Sequence, residues 1–216
     1  MAPNPPSAKK PRKHVRRSDA MKDAPSERSA RFHILTSGSL SSDGARVVSS
    51  CSLLRDLDRL IIVDPGMAAS QRDILGPLEE LGVLPSDVTD VVLSHHHPDH
   101  TINAGLFPSA AVHDHWAIYR GADWQDSDAE GRELTPAIHL IRVPGHSLED
   151  IAVVAGTEDG TIVLTHLWWT DSIPVDDPFS PDLSALRTSR ARVLGFADVI
   201  VPGHGSPFAP DATTPR

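Results

Sequence analysis

An apolar run, Val91-Val92-Leu93, stops at Ser94 and gives way at once to His95-His96-His97-Pro98-Asp99-His100. A run of this length reads as a buried strand, and Pro98 prevents regular pairing beyond it. The polar cluster is therefore placed on a loop at the strand's C-terminal edge. That edge is where α/β folds hold their ligands. Successive residues of an extended segment point to opposite sides, so His95 and His97 face together and can hold one metal ion while His96 turns away. Asp99 and His100 follow the proline and can hold a second. Burying these groups without a common partner is costly, and imidazole with carboxylate is a ligand set that borderline divalent metals favour.

The 216 residues suffice for one sizeable domain with its own core, plus a tail. No stretch approaches the roughly 18 consecutive apolar residues of a membrane span. With no apolar h-region at the N-terminus either, a cytoplasmic protein without a membrane partner is expected. The single cysteine, Cys51, excludes an internal disulfide and reads as a packed strand residue. Charge is divided unevenly: residues 1–31 carry nine basic side chains against three acidic, leaving eleven basic against 26 acidic in the rest. So acidic a body repels polyanions at long range.

Residues 1–31 lack hydrophobic periodicity and read as a disordered basic tail, in which Lys9-Lys10-Pro11-Arg12-Lys13 could contact nucleic acid. The domain is placed over 32–210, with a flexible C-terminus at 211–216. Strands are expected over 32–35, 46–54 and 59–63, with a helix over 70–81 capped by Ser70 and stopped by Gly82. After the His95–His100 cluster, a short helix over 101–107 and a strand over 110–112 follow. Residues 121–133 read as a solvated loop. His113 and His115 read as a polar strand end rather than a second site. Strands over 138–143, 151–155 and 161–164, a helix over 183–194 and a last strand over 198–201 complete the chain. Two of these strands run into Pro144-Gly145-His146-Ser147 and Pro202-Gly203-His204-Gly205. Gly145 would permit a sharp turn that aims His146 back into a cleft.

The HxHxDH pattern of residues 95–100 resembles the signature of the metallo-β-lactamase-fold hydrolases, and the two later histidine loops match that family's further motifs. The resemblance implies an α/β fold, the αββα four-layer sandwich, over about residues 32–208. It implies one metal at His95, His97 and His146, a second at Asp99, His100 and His204, and Asp64 supporting the ligands from behind. Where the family presents a bridging aspartate, this chain has Thr165-His166. A carboxylate offers an oxygen to each of two metals, whereas a neutral imidazole has one free lone pair. His166 is thus expected to bind one metal or to donate to a bridging hydroxide or the substrate, with Asp171 a candidate stand-in. Trp168 and Trp169 follow, as cleft or core aromatics. A looser resemblance, through Leu106-Phe107-Pro108, residues 153–157 and residues 197–205, is to the metallo-β-lactamase domain-containing protein 1 group.

The expected activity is hydrolysis by hydroxide generated on zinc, one or two ions per chain, with iron or manganese as alternatives. Asp99 would orient the nucleophile and pass on its proton, and His166 would assist. The expected substrate is a small ester, lactone, thioester or phosphodiester. The subgroup resemblance and the basic tail support RNA cleavage as an alternative, and loss of the bridging aspartate supports a non-catalytic metal-binding module. No interface signature fixes an oligomeric state.

Overall fold

Side chains along the strands alternate between two environments, and this period of two builds the molecule. In β12 (Ile151–Thr157), Ile151, Val153 and Ala155 enter one apolar cluster while Ala152 and Val154 enter another. In β5 (Arg59–Val63), Ile61 and Val63 share that first cluster and Ile62 lies in a third. Strands buried on both faces form the inner layers of a sandwich. The computed structural model describes residues 29–216, so the tail expectation, apart from residues 29–31, and the Lys9–Lys13 patch lie outside the described residues.

One sheet has seven strands in the order β1 (Arg31–Thr36), β4 (Cys51–Asp56), β5, β6 (Asp90–Val92), β7 (Ala111–His113), β8 (Ala117–Arg120) and β9 (Asp123–Asp126). The other has five: β10 (Glu133–Thr135), β11 (Ile138–Arg142), β12, β13 (Gly160–Leu164) and β14 (Val199–Val201). A small pair, β2 (Ser39–Leu40) and β3 (Val47–Val48), forms a hairpin of its own. Leu54, Ile61 and Val92 of the first sheet meet Leu140, Val153 and Leu164 of the second in the central core. Outside the first sheet, α1 (Arg72–Glu80) buries Ile74 and Leu78; outside the second, α3 (Leu183–Leu194) buries Leu186 and Val193. This is the αββα sandwich expected from the sequence. Strands β5, β6 and β7 are parallel neighbours, as are β13 and β14, and the loops after β6, β13 and β14 carry His95–His97, His166 and His204.

Several local expectations are corrected. The helix expected over 101–107 instead starts at Pro98: α2 (Pro98–Thr101) takes the proline as its first residue, where a missing N–H costs nothing, and a 3-10 turn follows at Ala104–Leu106. Asp99 and His100 thus lie on a helical turn rather than in open loop. The 121–133 segment is not a loop throughout, because β8 and β9 pair as a hairpin across Gly121, whose φ is 59°. Helix α1 is capped at Gln71. Ser70 sits one residue earlier, its Oγ accepting from the Arg72 N–H at 3.1 Å. Pro77 inside α1 cannot bond the Asp73 carbonyl, and the Thr36 hydroxyl donates to that carbonyl instead, at 3.0 Å. At the C-terminus, the Pro215 carbonyl accepts from the buried Trp168 indole N–H at 2.9 Å.

Asp114 closes the turn between β7 and β8. Its Oδ1 accepts from the Trp116 and Ala117 N–H groups, and its Oδ2 from Tyr119 and His96. Burial disfavours its charge, yet these hydrogen bonds outweigh burial and lower the carboxyl from 3.8 to about 2. A carboxyl whose value is lowered on folding stabilises the protein above its ordinary range, and that contribution is lost as pH falls through the folded value. Between about pH 4 and pH 2, an Asp114→Asn chain is expected to lose stability less steeply than the parent, as read by circular dichroism during acid titration.

Candidate metal centre

Strand ends from both sheets deliver histidines to one edge. The first sheet contributes His95 and His97 from the loop after β6 and His100 from α2; the second contributes His146, His166 and His204 from the loops after β11, β13 and β14. All but His97 are buried. The ring nitrogens of His95, His146 and His166 lie within 4.8 Å of one another, and so do those of His100, His166 and His204. His166 belongs to both trios. His97 joins the first through its Nδ1, 3.1 Å from His95 Nε2 and 2.9 Å from His146 Nε2.

Partners behind the rings fix which nitrogen faces inward. The Nδ1–H of His100 donates to Asp64 Oδ2 at 3.0 Å, that of His146 to Asp177 Oδ2 at 2.8 Å, and that of His204 to the Val48 carbonyl at 3.1 Å. An acceptor on Nδ1–H leaves Nε2 as a lone pair in the neutral ring. Three such lone pairs point into the centre. Asp99 Oδ2 lies 3.4 Å from His100 Nε2 and 3.5 Å from His204 Nε2, so acceptors confront acceptors. His100 Nε2 and His166 Nδ1 are buried with no hydrogen-bond partner. Converging lone pairs and an unpartnered buried nitrogen are what a divalent cation would satisfy, and this donor set fits one.

The electrostatics agree with that fit. Burial, followed by the charge of neighbouring histidines, pushes His95 and His166 well below the ordinary imidazole value. The same causes lower His97, and lower His204 to about 4. All four are therefore neutral at physiological pH, the form that ligates.

Asp64 sits where the sequence places it. Besides His100 it accepts from the Ser94 N–H at 2.7 Å, and its φ of 51° lies in the left-handed region that aspartate tolerates. His96 turns away to Asp114, as strand alternation requires. His113 donates to Asp90 at 2.8 Å and, with His115, stays out of both trios. Asp171 is exposed and does not line the cleft, so the carboxylate that serves this loop is Asp177. Nothing in the spacing marked Asp177; its one local sign is a pair of acids before Pro178. The chain bends at Gly145, without a positive φ, and His146 lines the cleft; a Cβ at Gly145 would lie 2.6 Å from Leu167 Cδ2 and 2.9 Å from Leu186 Cδ1, so a larger residue would have to displace both leucines. At Gly203 a Cβ would lie 2.2 Å from His166 Cδ2, which makes glycine the condition for that imidazole's position.

The centre opens into a cleft of about 670 Å³ whose lining includes His97, Asp99, His146, His166 and His204. Trp169 lines it as well, while Trp168 is fully buried in the core. Asp177 Oδ2 accepts from the Trp169 indole N–H at 3.1 Å in addition to His146. Carboxylates behind metal-ligating imidazoles commonly contribute about 10–100-fold to metal affinity. Asp177→Ala is accordingly expected to weaken zinc binding by about that factor, read by competition with a chromophoric chelator.

Comparison with protein families matches residues 44–206 to the metallo-beta-lactamase superfamily. A human protein named metallo-beta-lactamase domain-containing protein 1 is 41% identical over 157 residues, covering 68% of this chain and 59% of that protein. Its Xenopus laevis namesake is 34% identical over 156 residues, covering 68% and 67%. The chain thus spans about three fifths of the human relative's length. Among solved structures, a candidate metallo-beta-lactamase from Thermotoga maritima superposes with a TM-score of 0.67 at 22% identity, covering 84% of this chain and all of that one. An N-acyl homoserine lactone hydrolase gives 0.62 at 20% identity, covering 82% and 93%. Sequence match, sandwich and histidine-lined edge agree: the chain belongs to the metallo-beta-lactamase superfamily.

Proposed function

We propose that the chain is a metal-dependent hydrolase that opens an ester-type bond in a small molecule. The observation that carries this reading is the pair of histidine trios sharing His166 at the floor of a cleft that Asp99 also lines. His95, His97 and His146 would hold one cation; Asp99, His100 and His204 would hold the second, with His166 between them. When bound, zinc, or iron or manganese in its place, supplies Lewis acidity and makes hydroxide available near neutral pH.

The chain's own groups do the rest. Among the described residues lining the cleft, Asp99 is the one carboxylate, and its partial exposure lets it take a proton from the nucleophile and return it to the leaving group. His166, neutral and buried, adds no negative charge where the family's bridging carboxylate would stand. That leaves the pocket able to steady an oxyanion. Among the described residues, none that lines the cleft is lysine or arginine, so these residues offer no basic side chain for the phosphate contacts that RNA binding uses. This favours the small-molecule reading over RNA cleavage.

Elemental analysis of untagged protein is expected to return two metal equivalents per chain, with turnover on a panel of neutral lactones and esters and none on single-stranded RNA. One equivalent would assign a mononuclear centre to His95, His97 and His146. No metal even after zinc addition would overturn the reading.

A further inference from the structure

We infer that Trp169 and Phe179 form a specificity surface for an apolar chain or ring carried by the substrate, and that Asp177 fixes this surface to His146. The two rings stack with centroids 5.8 Å apart and planes at 25°. Phe179 is 67% exposed, an unusual state for an aromatic side chain that lines a cleft rather than standing alone on the surface. Both rings begin at the reacting centre: the His146 ring centroid is 6.3 Å from that of Trp169 and 5.9 Å from that of Phe179. Leu40, Val47 and Met67 also line the cleft, so its lining is apolar beyond this one pair.

One carboxylate organises the aromatic wall. Asp177 Oδ2 accepts from the Trp169 indole N–H and from His146 Nδ1–H, and its Oδ1 accepts from the Phe179 backbone N–H at 2.9 Å. The wall and the imidazole therefore share an anchor, which sets the apolar group of a ligand at a fixed distance from the bond to be broken. A cleft of about 670 Å³ suits a small molecule. The catalytic half of this inference rests on the hydrolase reading; the binding half does not.

The test uses the full chain with its native metal. Straight-chain alkyl phenyl ketones, which carry the apolar chain but no scissile bond, are titrated while tryptophan fluorescence is followed. Matching p-nitrophenyl esters from acetate to octanoate are assayed for kcat/KM. Affinity and kcat/KM are both expected to rise about threefold to fourfold per methylene until the cleft is filled. Phe179→Ala, a change at an exposed ring, should flatten both series without moving the unfolding midpoint. Trp169→Phe should keep the chain-length dependence yet weaken zinc binding by about 10-fold, because Asp177 loses the N–H that helps hold it against His146. A rising ketone series without ester turnover would uphold the surface and remove the hydrolase reading. A flat ketone series, or one indifferent to Phe179→Ala, would overturn the surface itself. Unchanged zinc affinity in Trp169→Phe would overturn the link through Asp177.

Discussion

Asp99→Asn is expected to lower kcat by about 10²- to 10⁴-fold, the range for removing a general acid–base group. The substitution keeps the shape of the side chain but cannot accept a proton, and its amide would also be a poorer partner for a cation beside His100 and His204. The backbone around it should hold, since the Asp99 carbonyl accepts from the Met67 N–H at 2.7 Å whatever the side chain is. An unchanged unfolding midpoint with lost turnover is therefore the expected pair of results. Metal analysis of the variant separates the two causes: full loading with lost turnover assigns the defect to proton transfer, and a missing equivalent assigns it to metal retention. More than about a tenth of the parent activity would remove Asp99 from the mechanism, because even the weakest general acid–base contribution exceeds that.

The second large effect is on stability, at the start of β6, the strand that leads to the histidine loop. Asp90 is fully buried where β6 lies between β5 and β7, and its Oδ1 accepts from Arg59 at 2.6 Å and His113 at 2.8 Å. Its Oδ2 accepts from the Thr89 hydroxyl at 2.7 Å. Asp90→Ala would strand both of its donors, the His113 imidazole in the interior and the Arg59 guanidinium against it. Removing one member of a buried pair typically costs about 3–5 kcal/mol. Urea unfolding should show a fall of that size, with His113→Ala costing less because Arg59 and Thr89 still satisfy the carboxylate. Loss of less than about 1 kcal/mol would mean that water reaches the pair and that the burial is not effective.

Where an apolar run or its end signals are clear, the fold was legible. Strand β5 is a continuous apolar run, Leu60–Val63, closed by Asp64-Pro65-Gly66, and helix α3 is bounded by Asp182 and Gly195, although Ser189 and Arg190 interrupt its buried face; both fall on the expected residues. His96 was assigned outward and His95 and His97 inward by alternation alone. The β8–β9 hairpin was not legible, because all four residues of β9 are exposed and Trp124 stands between polar neighbours, leaving no alternation to read. The start of α2 was missed because a proline after three histidines reads as a stop, although it also serves as a first helical residue. In the centre itself, each histidine announced itself by following an apolar strand. Its orienting partners did not: Asp177 is 31 residues from His146, and the group that holds His204 is a backbone carbonyl of Val48, which no side-chain pattern can reveal.

The histidine trios also say something about the order of assembly. Each takes one ring from the first sheet and two from the second, and His204 comes from the loop after the last strand. Neither half of the sandwich, formed alone, completes either trio. A cation captured there would arrive after the halves have met, and its binding energy would then act as cohesion between them. The trio of His100, His166 and His204 can close only after β14 has joined the second sheet, so filling that trio would report docked halves rather than bring them together.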